Sequence, residues 1–165
     1  MSELYAKRQG LEVVAHRKID DEEMRITVAE DALRALKQEY VQWIRDQYYY
    51  PVDIIYTAAL KEEFSVLSPL ENALAHAYKL AGVIFVYVTA SPNELGRRYY
   101  ERGDELWDLE QISKVAVAYE RWYHWAQHNH HLVRIDTTDK DLESCYHEVS
   151  SQVAIIVENL GRGVF

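Results

Sequence analysis

The chain of 165 residues has one cysteine, three prolines and six glycines. Because Cys145 is alone, no intramolecular disulfide can form, which is typical of a reducing compartment. The scarcity of glycine and proline leaves few turn-forming residues and favours long helices. The longest apolar run, residues 81–90, is about half the roughly 20 residues that a membrane-spanning helix needs. We therefore expect a single cytoplasmic domain over residues 1–165, with no membrane partner.

Basic residues are in the minority: 18 Lys and Arg face 27 Asp and Glu, for a net charge of −9. Proteins that coat nucleic acids neutralise many phosphates with Lys and Arg, so we expect no nucleic-acid partner. A free nucleotide remains compatible with this charge, because two or three arginines are enough to hold its phosphate. Aromatic residues are abundant, with thirteen tyrosines and four tryptophans, and such residues are enriched at protein interfaces.

Short β-branched runs alternate with amphipathic segments along the chain. Strands are predicted over residues 11–16, 83–90 and 132–137, while residues 41–44 could begin a strand or continue a helix. Helices are predicted from a capping box at Thr27 and Glu30, from Ser68, from Ser91, and over residues 109–127 and 142–160. This alternation predicts an α/β fold in which a parallel sheet lies between two layers of helices.

The most informative segment runs from Val83 to Asp104. An apolar strand is followed by Ser91 and a proline that begin a helix, and this helix carries Arg97, Arg98 and Arg102 towards a Gly-Asp pair. The segment resembles the second half of a thymidylate-kinase-type enzyme, of the phage deoxynucleoside monophosphate kinase kind. In that family the arginines of the lid fold over the nucleotide phosphates.

The resemblance covers nearly the whole chain. Residues 2–14 are similar to the helix after the phosphate loop and the strand that follows it, residues 46–51 to an Asp-Arg-aromatic motif, and residues 135–137 to the final strand and its turn near the adenine. The resemblance implies phosphate binding by Arg98, Arg102 and Arg97, and nucleotide binding by Asp46, Tyr48 and Asp104. It implies ATP and Mg²⁺ as cofactors if the chain is an active kinase.

Two features depart from the family. No G-x-x-x-x-G-K-[ST] motif occurs in the chain, so the family's first strand and phosphate loop have no counterpart. The Asp-Arg pair reads Asp46-Gln47, and glutamine has neither the charge nor the fork of arginine. We therefore expect a P-loop-kinase-like sheet without its central first strand. The gap would be closed by moving strands together, by inserting another segment or by pairing with a second chain.

Three functional interpretations follow. The first is a kinase-like protein that binds a (deoxy)nucleoside monophosphate, with atypical or lost ATP-dependent kinase activity. The second is a non-catalytic interaction protein that reuses the scaffold, is encoded by a phage and is located in the host cytoplasm. A homo-oligomer is one form that this interaction could take. The third is a truncated gene model of an active kinase. Whether Arg98 and Arg102 meet at an open site or are held in pairs within the protein distinguishes the first two.

Other patterns leave their alternatives open. Tyr48, Tyr49 and Tyr50 could stack a base, although such a cluster is more often part of a core or interface. His124, His128 and His131 would share one face of a continuous helix, but a helix end near residue 128 favours a surface cluster, and no metal site is predicted. Residues 136–139 predict a strand-to-helix turn, with a nucleobase contact as the alternative.

Overall fold

The computed structural model describes residues 7–8, 12–14, 18–37, 43–45, 49–61, 63–103 and 108–161. Helices dominate these residues. They are α1 (Asp21–Leu36), α2 (Tyr49–Tyr56), α3 (Glu71–Leu80), α4 (Pro92–Arg102), α5 (Leu109–Asn129) and α6 (Leu142–Gly161). A π-helical turn (Thr57–Lys61) follows α2, and a 3₁₀ turn (Ser68–Leu70) precedes α3. The strands are β1 (Glu12–Val14), β2 (Trp43–Arg45), β3 (Ile84–Thr89) and β4 (His131–Asp136).

The predicted three-layer α/β fold, with one P-loop-kinase-like parallel sheet, is wrong. The described strands form two separate two-stranded parallel sheets, β1–β2 and β3–β4. The β1–β2 ladder pairs three residues of each strand, and within the described ranges no strand joins β2 to β3. Among the residues whose side chains the structure describes, the core clusters lie between helices and against the β3–β4 ladder.

The longer ladder, β3–β4, organises the second half of the chain. Its six residue pairs run in register from Ile84 opposite His131 to Thr89 opposite Asp136. One face of β4 packs against α6, where Val133 and Ile135 meet Cys145 and Val149. On the other side, Phe85 and Leu132 pack against the aromatic cluster around Trp122 on α5. The ladder is therefore covered by helices on both faces of β4.

Helix starts follow capping chemistry, with one correction. The side chains of Asp20, Ser91 and Asp108 accept backbone N–H groups at the starts of α1, α4 and α5. The predicted capping box at Thr27 is wrong, because α1 begins six residues earlier and Thr27 lies inside it. Three acidic residues in the first turn favour the earlier start, since they interact favourably with the helix dipole.

Tyr49 and Tyr50 lie in the core. Tyr50 is fully buried, with its ring stacked on Tyr78 at 5.8 Å and edge-on to Phe85 at 6.1 Å. Its backbone is extended (φ −92°, ψ 127°) within α2, which directs the ring inward between α3 and β3. Tyr49 and Tyr50 are therefore core residues and are not available to stack a base. None of the helices in the described ranges is both long and apolar enough to cross a membrane.

Candidate functional site

The carboxyl ends of β3 and β4 lie side by side and form a junction with several polar and charged side chains. Strand β3 leads through Ser91 into the start of α4, and β4 leads through residues 137–141 into α6. Because the strands are parallel, both connections leave the same edge of the sheet. In open α/β sheets, ligands bind outside this edge, close to the helix N-termini. We call residues 89–98 and 136–140 the carboxyl-edge site.

Hydrogen bonds join the two connections directly. The Thr137 backbone N–H and hydroxyl both donate to the carbonyl oxygen of Thr89, at 2.8 and 2.9 Å. The backbone N–H of Ser91 donates to the Thr138 hydroxyl oxygen at 2.7 Å. The ladder therefore continues one residue beyond β4, and the start of α4 is fixed to the turn that follows it.

Arg98 crosses this junction. Its Nε–H donates to the Glu94 carboxylate at 2.7 Å, while its two terminal nitrogens donate to the Thr137 hydroxyl at 2.9 Å and the Thr137 carbonyl at 3.0 Å. Arginine has five N–H groups, so two remain without an acceptor among the described residues. The side chain is 33% exposed. These bonds hold the guanidinium in one orientation, and its two remaining N–H groups lie near the protein surface.

Glu94 is the anionic centre of the site. It pairs with Arg97 at 2.6 Å and with Arg98 at 2.7 Å. Hydrogen bonds from Arg97 and Arg98 hold the pKa of the Glu94 carboxyl at about 2, well below its ordinary value. Arg97 donates through three N–H groups to Glu94 and Glu101, so it also keeps two N–H groups, but two carboxylates balance its charge. Arg98 contacts one carboxylate, which it shares with Arg97, and is therefore the less neutralised of the two arginines.

The turn after β4 adds further charges. The backbone N–H of Thr138 donates to the Asp136 carboxylate at 2.9 Å, and the Thr138 hydroxyl and N–H lower the pKa of Asp136. Asp139 has a left-handed backbone (φ 56°), which allows the sharp turn. Lys140 pairs with Glu148 at 2.6 Å. The charges are therefore balanced, and a ligand would replace existing partners or use the two remaining Arg98 donors.

Several predicted site residues lie outside the described residues: Asp46, Tyr48 and Asp104. Arg102 is the last residue of α4, and its side chain is also outside the described part. Arg97 and Arg98 are the predicted residues that the structure places at the carboxyl-edge site, together with residues 136–139. The expected meeting of Arg98 with Arg102 therefore stays a prediction.

The histidines do not share one helix face. His124 and His128 are exposed on α5, whereas His130 and His131 are buried beyond its end. Over the described ranges, no group of three His, Cys, Asp or Glu side chains could hold a metal ion. The sequence contains no phosphate loop of the G-x-x-x-x-G-K-[ST] type for ATP, and phosphoryl transfer in P-loop kinases depends on the positioning that this loop provides.

Sequence reasoning missed the partners of Arg98. Glu94 is not among the site residues that the sequence predicts, and Thr137 lies in a segment predicted as a strand-to-helix turn, with a nucleobase contact as the alternative. The i, i+4 spacing of Glu94 and Arg98 was the available signal. No local signal indicated Thr137, because its contact with Arg98 joins residues 39 positions apart.

No family model, curated protein or solved structure matches this chain.

Proposed function

We propose that the protein binds the phosphate of a (deoxy)nucleoside monophosphate at the carboxyl-edge site, with Arg98 as the main ligand. The observation that carries the proposal is the fixed guanidinium of Arg98, which keeps two N–H groups for an acceptor and contacts a single carboxylate that it shares with Arg97. A planar guanidinium with paired donors suits phosphate oxygens, and charge-assisted hydrogen bonds of this kind are the strong ones. The thymidylate-kinase resemblance of residues 83–104 supports the nucleotide as the carrier of that phosphate.

Binding, not phosphoryl transfer, is the function proposed. A kinase would need backbone N–H groups, a lysine and a Mg²⁺-binding hydroxyl around the donor phosphates. With ATP, Mg²⁺ and nucleoside monophosphates present, we expect no ADP formation above the rate without protein. Production of ADP that depends on the monophosphate would show that this part of the proposal is wrong.

Isothermal titration calorimetry tests the binding. The purified chain is titrated with dTMP, dAMP, dGMP and dCMP, and with thymidine and inorganic phosphate as partial ligands. One monophosphate should bind, and its nucleoside should bind at least about tenfold more weakly, because the phosphate contact contributes about 1.5–3 kcal/mol. Equal affinity for nucleotide and nucleoside would contradict a phosphate site.

Variants assign the contact. Arg98→Lys keeps the charge but loses the fork, and we expect it to weaken nucleotide binding about tenfold. Arg97→Gln removes the neighbouring arginine, which is already held by two carboxylates, and should leave the affinity within about twofold. Unchanged affinity in Arg98→Lys would remove Arg98 from the site.

A second function, contact between copies of the chain, is favoured by the outer edge of β3. This edge has no partner strand within the described ranges, and Val86 and Val88 are 38% and 48% exposed. The strand contains no charged residue and no proline, the features that normally prevent edge pairing. On the other strand, β4 carries Arg134 and Asp136. Of the two outer edges of this ladder, the β3 edge is therefore the one without charged residues to oppose pairing with another strand.

Sedimentation equilibrium tests the second function. The unmodified chain should show a concentration-dependent dimer, and Val88→Lys should remove it, because a charge at an edge strand opposes pairing. Val157→Lys is the matched control, since Val157 is similarly exposed but lies on α6. A monomer at all concentrations, or a dimer that survives Val88→Lys, would exclude this interface.

A further inference from the structure

A second concave surface lies away from the carboxyl-edge site. A groove of about 490 Å³ is lined on one side by α2 and the π-helical turn, and on the other by α5. Volumes of about 300–1,000 Å³ are typical of small-molecule sites. The groove is therefore large enough for a ligand of the size of a substituted aromatic molecule.

Small side chains keep this groove open. Ala58 and Ala59 of the π-helical turn face Val117 and Ala118 of α5 across it. Val117 is 49% exposed, and Ala58 is also exposed. Single-turn π-helices occur often at functional sites, and here the turn presents the two alanines to the groove. Its floor is consequently apolar and accessible from solvent.

The polar lining carries one excess positive charge. Glu110 and Lys114 form an ion pair at 2.8 Å, which neutralises both. Arg121 lines the same groove, is exposed, and has no carboxylate partner among the described residues. The groove is thus locally positive in a chain whose net charge is −9.

We infer that this groove binds a small organic anion with an apolar body and one negative charge. The apolar body would lie on Ala58, Ala59 and Val117, and the anionic group would pair with Arg121. An exposed arginine beside an apolar floor recognises this combination, because the floor removes apolar surface from water while the guanidinium pairs with the charge. This site is independent of the proposed nucleotide site, which uses Arg98.

Anilinonaphthalene sulfonate is a suitable probe, because it combines an aromatic body with a single sulfonate. We expect saturable binding of one probe molecule per chain, read as enhanced probe fluorescence. The neutral analogue phenylnaphthylamine should bind at least about fivefold more weakly, since the pair with Arg121 is lost. Equal affinity for both probes, or fluorescence that does not saturate, would overturn the inference.

Two pairs of variants locate the probe. Ala58→Leu should fill the groove and weaken binding by more than about tenfold, whereas Ala73→Leu, at an exposed alanine of α3, should not. Arg121→Gln should weaken binding about fivefold, whereas Arg25→Gln, at an exposed arginine of α1, changes the net charge equally and should not. Circular dichroism melting curves confirm that each variant is folded. Binding that is unchanged in Ala58→Leu and Arg121→Gln would place the probe elsewhere and overturn the site.

Discussion

The polar groups at the two ends of the β3–β4 ladder lie in different environments, one close to solvent and the other buried. At the carboxyl end, Thr137 and Arg98 are joined by hydrogen bonds that involve a charged group close to solvent. At the amino end, the buried ring of His130 lies 3.0 Å from the Tyr50 hydroxyl through Nε2, among aromatic rings that exclude water. Burial lowers the pKa of His130 to about 4 and raises that of Tyr50, so both stay neutral.

This difference distinguishes the carboxyl end, which is suited to binding, from the amino end, which is part of the core. Charge is retained where water can reach it, and a ligand can exchange for an existing partner there. At the amino end, Phe85 lies 4.6 Å and Trp122 5.8 Å from the His130 ring. A charged group in that environment would pay a large desolvation cost. The amino end therefore stabilises the fold, and the carboxyl end is the end suited to binding.

The largest expected effect is at the buried end. Tyr50→Ala should lower the free energy of unfolding by about 3–5 kcal/mol, because it removes a fully buried ring and leaves a cavity. Urea unfolding measures the change. Tyr100→Ala is the matched control: Tyr100 is 70% exposed and its loss should cost less than about 0.5 kcal/mol. A similar loss in both variants would contradict the comparison between the two ends.

Acid should destabilise the protein through His130. The pKa of His130 is about 4 in the folded state and about 6.5 for an unperturbed histidine in the unfolded chain, so between these pH values the unfolded chain binds more protons. The contribution of neutral His130 to the free energy of unfolding is therefore fully present above about pH 6.5. It decreases as the pH falls, by on the order of 3 kcal/mol at pH 4. Urea unfolding across this range measures the slope.

His130→Gln isolates this contribution. Glutamine keeps a polar partner for Tyr50 but does not titrate, so the stability of the variant should depend less steeply on pH between 6.5 and 4. His131 keeps its own lowered pKa in both proteins and cancels in the difference. An identical slope in the two proteins would show that His130 is not the group responsible.

A smaller effect is expected at the charged end. Arg98→Gln loses its bonds to Glu94 and Thr137, and we expect a loss of about 1–2 kcal/mol in urea unfolding. Arg97→Gln breaks exposed ion pairs only and should cost less than about 1 kcal/mol. If Arg97→Gln proves the more destabilising, Arg98 does not join α4 to the turn after β4.

The smallest effect concerns the start of α4. Ser91→Ala removes the side-chain oxygen that accepts the Glu94 N–H at 3.3 Å, and should cost about 1 kcal/mol or less. Ser151→Ala, at an exposed serine in the interior of α6, is the control and should not destabilise the protein. Thermal melting followed by circular dichroism measures both. A Ser91→Ala variant as stable as the unmodified protein would indicate that the other hydrogen bonds across this junction hold the start of α4 without the Ser91 side chain.

Local elements could be predicted from the sequence because their signals are short-range. The β-branched run before Ala90, the Ser91 cap and the apolar spacing of residues 109–127 gave β3, α4 and α5 with bounds close to those observed. The predicted start of α1 was too late because Thr27 and Glu30 match a capping pattern that also occurs by chance inside a helix. The presence of Arg97 and Arg98 on α4 was predicted; the role of Arg98 in joining α4 to the β4 turn was not.

By itself the sequence determined α3 to α6, the two longer strands and the place of Arg97 and Arg98 on α4, since each depends on residues a few positions apart. It did not determine the start of α1 or the presence of α2. Only the tertiary structure decided that the strands form two short sheets instead of one, because strand pairing depends on partners far apart in the chain. The same holds for Arg98 with Thr137, Tyr50 with His130, and the groove beside Ala58. Each brings together separate segments, and packing between those segments decides which polar groups stay charged and which are buried neutral.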